Sequence, residues 1–216
     1  MSSAHLINLA IHITAGTIAL VIGFSILGRS KGTSNHRYWG RIFCYFTLIV
    51  CVSAAIGTLF FRFIPVFAIL SVLVPYQLIS GWRSIYTKDQ GPAKIDAILT
   101  LFATVLLIAL IPAVLAHAEG SVVVYSSLGA LATILLYDTI RWLFPRRWYR
   151  SLWKYEHTYK LIASIFAMLS ALVGNVVRFG QPWSQILPSV VGIIVIAYYF
   201  IRLHQKDSRL LVGARA

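Results

Sequence analysis

A chain of 216 residues that is 59% hydrophobic and 12% charged, with a mean hydropathy of +0.80, is not a water-soluble domain. In water it would expose apolar patches too large to stay unassociated; lipid removes that conflict, and only helices or closed barrels satisfy their backbone groups there. The net charge of +13 ordinarily raises nucleic acid as a partner, but here the basic residues punctuate apolar runs, which is the pattern of membrane topology.

The apolar runs are continuous rather than alternating, so they predict helices and not barrel strands. Seven spans follow in chain order, at about residues 5–27, 38–61, 64–85, 95–116, 121–143, 155–177 and 186–203. The first lacks a basic start and an Ala-x-Ala exit, so it reads as a retained helix rather than a cleaved signal. Pro65 opens the third span, a position a helix tolerates, whereas Pro75 should kink that span and free a backbone carbonyl. Residues 86–94 and the basic aromatic stretch 145–150 read as loops, and a polar basic tail follows the seventh span. Cys44 and Cys51 share one apolar run at a spacing of two helical turns, which suits packing and neither a disulfide framework nor a zinc pattern. No internal repeat or separate soluble domain is evident, so residues 1–216 form one transmembrane domain.

Charge sets the expected orientation. The segments after spans one, three, five and seven carry nearly all the basic residues, among them Arg29, Lys31, Arg37, Arg83, Lys88, Arg146, Arg147, Arg150 and Arg202. The opposite segments carry Arg62 and Arg178. This asymmetry predicts an all-α membrane bundle with its N-terminus outside and its C-terminus in the cytoplasm, an arrangement that needs an odd number of spans. Trp39, Trp82, Trp142, Trp148 and Trp153 fall at the predicted cytoplasmic boundary, as an aromatic belt does.

Folding the chain back and forth sorts its histidines into an outer layer (His5, His12, His117) and an inner one (His36, His157, His204). His12 lies about 10 Å into the first span, where an idle imidazole is costly. The inner layer adds Asp96, Asp138, Glu156 and Arg41, and ionisable residues within a membrane mark functional sites by default. Asp138 interrupts an apolar helix, with Arg141 or Arg41 as candidate ion-pair partners.

Two uses of these residues are open. Gly16 follows His12, and Gly40 follows His36, by one helical turn, which leaves a flat gap beside each imidazole. Haem iron is commonly held by axial histidine, so His12 with His117, and His36 with His157, could ligate two haem b groups and pass electrons across the bilayer to a redox partner or membrane complex. Arg41, Asp96 and Glu156 would then orient imidazoles or balance charge. The rival use is a zinc or iron site built from His36, Asp138 and His157, in a membrane-embedded enzyme. A transporter working through the inner polar cluster, with prolines 75 and 112 breaking its helices, and a non-catalytic membrane subunit are the remaining readings. Walker, Gly-x-Ser-x-Gly, dinucleotide, His-Glu-x-x-His and Cys-x-x-Cys-His patterns are absent from the sequence.

The run from His12 to Gly16, followed by Lys31-Gly32, His36-Arg37 and Gly40-Arg41, resembles a family of uncharacterised bacterial multi-pass membrane proteins, a predicted membrane domain of unknown function. Gly81-Trp82-Arg83 is a further echo. The resemblance implies a seven-helix bundle in a bacterial inner membrane and carries no activity with it. The paired-histidine layout is broadly similar to that of di-haem b-type membrane cytochromes.

Overall fold

The computed structural model describes residues 2–213, with side chains through residue 206. Seven helices in it are long and apolar enough to cross a membrane. We label them α1 (Ser3–Leu27), α2 (Ser34–Ile56), α3 (Pro65–Thr87), α4 (Lys94–His117), α5 (Val122–Ile140), α6 (Arg146–Val176) and α7 (Trp183–Gly213).

Local chemistry sets most of the helix ends. Ser2 and Thr33 cap α1 and α2, their hydroxyls accepting the backbone N–H of His5 and of His36. Pro65 sits in the first turn of α3, where its missing N–H costs nothing. At the head of α4 the Asp96 carboxylate accepts the Ala93 N–H at 2.7 Å. α2 runs on through a π-helical turn, Gly57–Phe61, and α5 ends in a 3-10 turn, Arg141–Leu143.

Two helices outrun their predicted spans. The stretch 146–150, expected as a loop, forms the first turn of α6, and α7 continues past Lys206 into the expected tail. Hydropathy marks where lipid ends, not where a helix ends; after Pro145 nothing breaks helical geometry, and arginine is a good helix former. The early start of α6 has a purpose in packing. It buries Tyr149, whose hydroxyl donates to the Arg141 carbonyl at 2.6 Å. The Tyr149 ring also lies against Gly91, which has φ +79 and where a Cβ would stand 2.7 Å from ring carbons, so only glycine fits.

α3 and α6 form the centre of the bundle. α3 packs against α2, α4, α5 and α6, and α6 packs against α1, α3 and α7. On one side Ala15, Ala19, Phe43, Cys44, Cys51, Leu78 and Ile165 make a core from α1, α2, α3 and α6; on the other, Ile69, Leu73, Ala103, Leu131 and Ile134 join α3 to α4 and α5. Both cysteines are free and buried, as expected of packing residues. α3 and α6 meet closely at Gly81, where a Cβ would fall 2.7 Å from the Lys160 Cβ and 2.5 Å from Leu161 Cδ2. That close approach positions the polar groups described next.

Candidate functional site

Six charged side chains converge between α3, α4, α5 and α6, toward the end of the bundle that bears the basic loops. Asp138 is the hub. It is 1% exposed, and Lys160, 0% exposed, sends its ammonium to both carboxylate oxygens at 2.8 Å. The Tyr76 hydroxyl donates to Asp138 Oδ2 at 2.5 Å and lies 2.9 Å from Thr100 Oγ1. Arg141 Nε stands 3.4 Å from Asp138 Oδ1, and Arg141 Nη1 donates to Glu156 at 2.5 Å. The other Glu156 oxygen accepts the Tyr137 hydroxyl at 2.8 Å. Asp96 is held by Arg83 at 2.7 Å and returns to the network through its own carbonyl, which accepts the Thr100 hydroxyl at 2.9 Å.

The charges balance: Asp96, Asp138 and Glu156 against Arg83, Arg141 and Lys160. Such balance is required, because an isolated ion in a low-dielectric interior carries a cost of several kcal/mol or more. The network reaches the basic end through a cavity of about 10 Å³ bordered by Lys88, Arg141, Tyr149, Trp153 and Glu156, room for about one water. Arranged this way, the cluster can hold a proton at a carboxylate or an amine and offer it hydroxyl and water partners on either side.

The sequence singled out Asp138, Asp96 and Glu156, and all three lie in this network. Of the two partners expected for Asp138, Arg141 is present at 3.4 Å, while Arg41 is exposed and stands apart from the acid. Lys160, the closest charged partner, was not singled out. Its spacing of four residues from Glu156 puts both on one face of α6, and that was the available signal. Tyr76, Thr100, Tyr137 and Arg83 carried no sign of their role.

The histidines divide differently from the two expected pairs. His12 is bonded through Nδ1 to Ser53 Oγ at 2.9 Å, so its buried nitrogen is satisfied by α2. His117 is exposed; its Nδ1 lies 2.8 Å from the Ala113 carbonyl, and its ring packs on Phe63. α1 lies on α2 and α6 whereas α4 lies on α3 and α5, and the structure does not bring His12 and His117 together. Nor is there a gap beside Gly16, where a Cβ would meet Val50 at 3.7 Å; at Gly40 there is open space. The inner pair is nearer its expectation. His157 donates from Nδ1 to the Gly81 carbonyl at 2.9 Å, and His36 is within electrostatic reach of both His157 and Lys31. The set of His36, Asp138 and His157 is not assembled, since Asp138 is engaged by Lys160, Tyr76 and Arg141. Among the described residues no three His, Cys, Asp or Glu side chains gather as a metal would need.

Compared with protein-family models, with curated proteins and with solved structures, the chain has no match.

Proposed function

We propose that this chain is a seven-span membrane protein, N-terminus outside and C-terminus in the cytoplasm of a bacterial inner membrane, that carries protons through the network centred on Asp138 and Lys160, alone or coupled to a solute. The observation that carries this reading is the Asp138–Lys160 pair, fully buried between apolar helices. A charge pair at such a place is expensive to retain, and hydrophobic residues of similar volume often fold as well or better. Ionisable groups kept within a membrane usually serve a proton or ion pathway. Tyr76 and Thr100 lead away from Asp138 on one side, and Arg141, Glu156 and the small cavity lead to the basic end on the other. Proton arrival at Asp138 would neutralise the carboxylate and release the Lys160 ammonium from its partner, so the pair has two charge states with different internal contacts.

The test is proton flux into liposomes containing the purified protein, read with an internal pH-sensitive dye under an imposed potential. Wild type should exceed empty liposomes, and Asp138→Asn should lower the flux at least about tenfold, the effect of removing a positioned proton-transfer group. Wild-type flux equal to that of empty liposomes, at either polarity and with candidate solutes present, would refute the reading.

A second reading rests on the inner histidines. The Nδ1–H of His157 is fixed by the Gly81 carbonyl, which is how ligating imidazoles are commonly oriented, and this leaves Nε2 as the ligand atom. With His36 close by, a haem b, or zinc or iron with further ligands, would bind at the basic end and serve electron transfer or catalysis. The absorption spectrum decides: protein produced with ample haem should show a Soret band that His157→Ala abolishes. A colourless protein without stoichiometric metal ends this reading and leaves the first untouched.

A further inference from the structure

Three polar side chains beside the network are buried, and each carries an oxygen without a partner among the described residues. Thr47 is 0% exposed, Ser80 3% and Gln77 4%, and Thr47 Oγ1, Ser80 Oγ and Gln77 Oε1 have no hydrogen-bond partner among the described residues. Buried polar atoms in folded proteins are overwhelmingly satisfied, by protein or by ordered water. Hydroxyls elsewhere in these helices return to a carbonyl of their own helix: Ser71 to Phe67, Thr139 to Leu135, Ser164 to Leu161. Thr47 and Ser80 have the same option and do not take it, so their oxygens are aimed elsewhere.

Two of the three share a face of α3, and the third lies at their depth on α2. Gln77 and Ser80 are three residues apart and lie on the same face of α3. α2 and α3 run antiparallel, and the edge contact of Tyr45 with Trp82 sets their register. Side chains lean toward a helix N-terminus, which brings Thr47 to within about one turn of Gln77 and Ser80 in depth. Thr47 belongs to the buried stripe of α2, with Cys44 and Cys51, that faces the bundle interior. Ser80 precedes Gly81, which lies on Lys160. Gln77 also lies beside Tyr159, one residue before Lys160.

We propose that Thr47, Gln77 and Ser80 form a buried hydration site holding about one or two waters, which extends the Asp138–Lys160 network toward the middle of the bundle. Hydroxyl and amide oxygens offer a water the two to four partners it needs. The same all-oxygen set could attract a small cation, but the Lys160 ammonium beside it opposes that occupant. The role of this water in proton movement rests on the proton-carrying reading; the site itself does not.

Two measurements on the full-length protein test the site. The first is thermal unfolding of Ser80→Ala and Thr47→Val, with Ser71→Ala as a control whose hydroxyl is satisfied by its own helix. If water joins the three groups, removing one leaves the others short of a partner, and each variant should lose about 2–4 °C of Tm. If the groups sit dry, removing an unsatisfied oxygen should leave Tm unchanged or raise it, which overturns the proposal. A Tm of wild type that rises with sodium but not with choline would also overturn it, in favour of a cation. The second measurement needs no variant: X-ray radiolysis makes hydroxyl radicals from bound water, so Cys44 and Cys51, beside Thr47 on α2, should be oxidised despite their burial. Failure of oxidation at both cysteines contradicts the site. If wild type moves no protons but the cysteines are oxidised and the variants lose Tm, the hydration site stands and the proton-carrying reading falls.

Discussion

Replacing Lys160 with methionine should destabilise the protein by roughly 3–5 kcal/mol, the cost of leaving one member of a buried ion pair uncompensated. Asp138 would lose both of its closest contacts to an ammonium, at 2.8 Å, and keep only the Tyr76 hydroxyl and the Arg141 guanidinium, whose Nε is at 3.4 Å. Bulk water and lipid cannot stand in, because Asp138 is 1% exposed. Thermal unfolding in one detergent, wild type beside variant, measures this. A loss no larger than that of an exposed lysine variant such as Lys94→Met would mean that Asp138 does not depend on the pair.

A second large effect is expected at Gly81→Val. There is no room for a side chain where a Cβ would already stand 2.5 Å from Leu161 Cδ2 and 2.7 Å from the Lys160 Cβ. The obstruction at Lys160 is at the root of a side chain, so it cannot swing away. α3 and α6 would have to part, which breaks the His157 bond to the Gly81 carbonyl and lengthens the reach of Lys160 to Asp138. Overpacking of this kind costs roughly 1–3 kcal/mol, and more where a polar network moves with it. The control is Gly40→Val, where a Cβ meets nothing within 4 Å and the same change in helix propensity, slightly favourable for valine over glycine, is made. Equal unfolding temperatures for the two variants would contradict the close α3–α6 contact.

The seven helices were legible because length and hydropathy record what a bilayer demands of a span, and the helix start at Pro65 because proline chemistry is local; the start at Ser34, about one turn before the expected span, was not. Nor were the start of α6 and the end of α7, since charged residues end a membrane span without ending a helix. The site was legible where one residue is anomalous alone: Asp138, an acid in an apolar run, needs an explanation at any register. Its partner was hidden. Lys160 lies twenty-two positions later and faces Asp138 only because Gly81 lets α3 and α6 approach, and the register between helices is not written in either helix alone. His12 shows the converse. Its depth made it seem too costly to be idle, yet Ser53 on the next helix satisfies its Nδ1, and no local pattern announces that bond. Tyrosines 76 and 137 read as core or belt residues until their hydroxyls are found on Asp138 and Glu156.

The most direct measurement is made on one double variant, Asp138→Asn with Lys160→Met, reconstituted in liposomes and examined for both unfolding temperature and proton flux. Removing both charges leaves no uncompensated ion, so the double variant should recover most of the stability that Lys160→Met alone loses, while its proton flux stays at the level of empty liposomes. Flux restored together with stability would contradict the account, because protons would then cross without the pair.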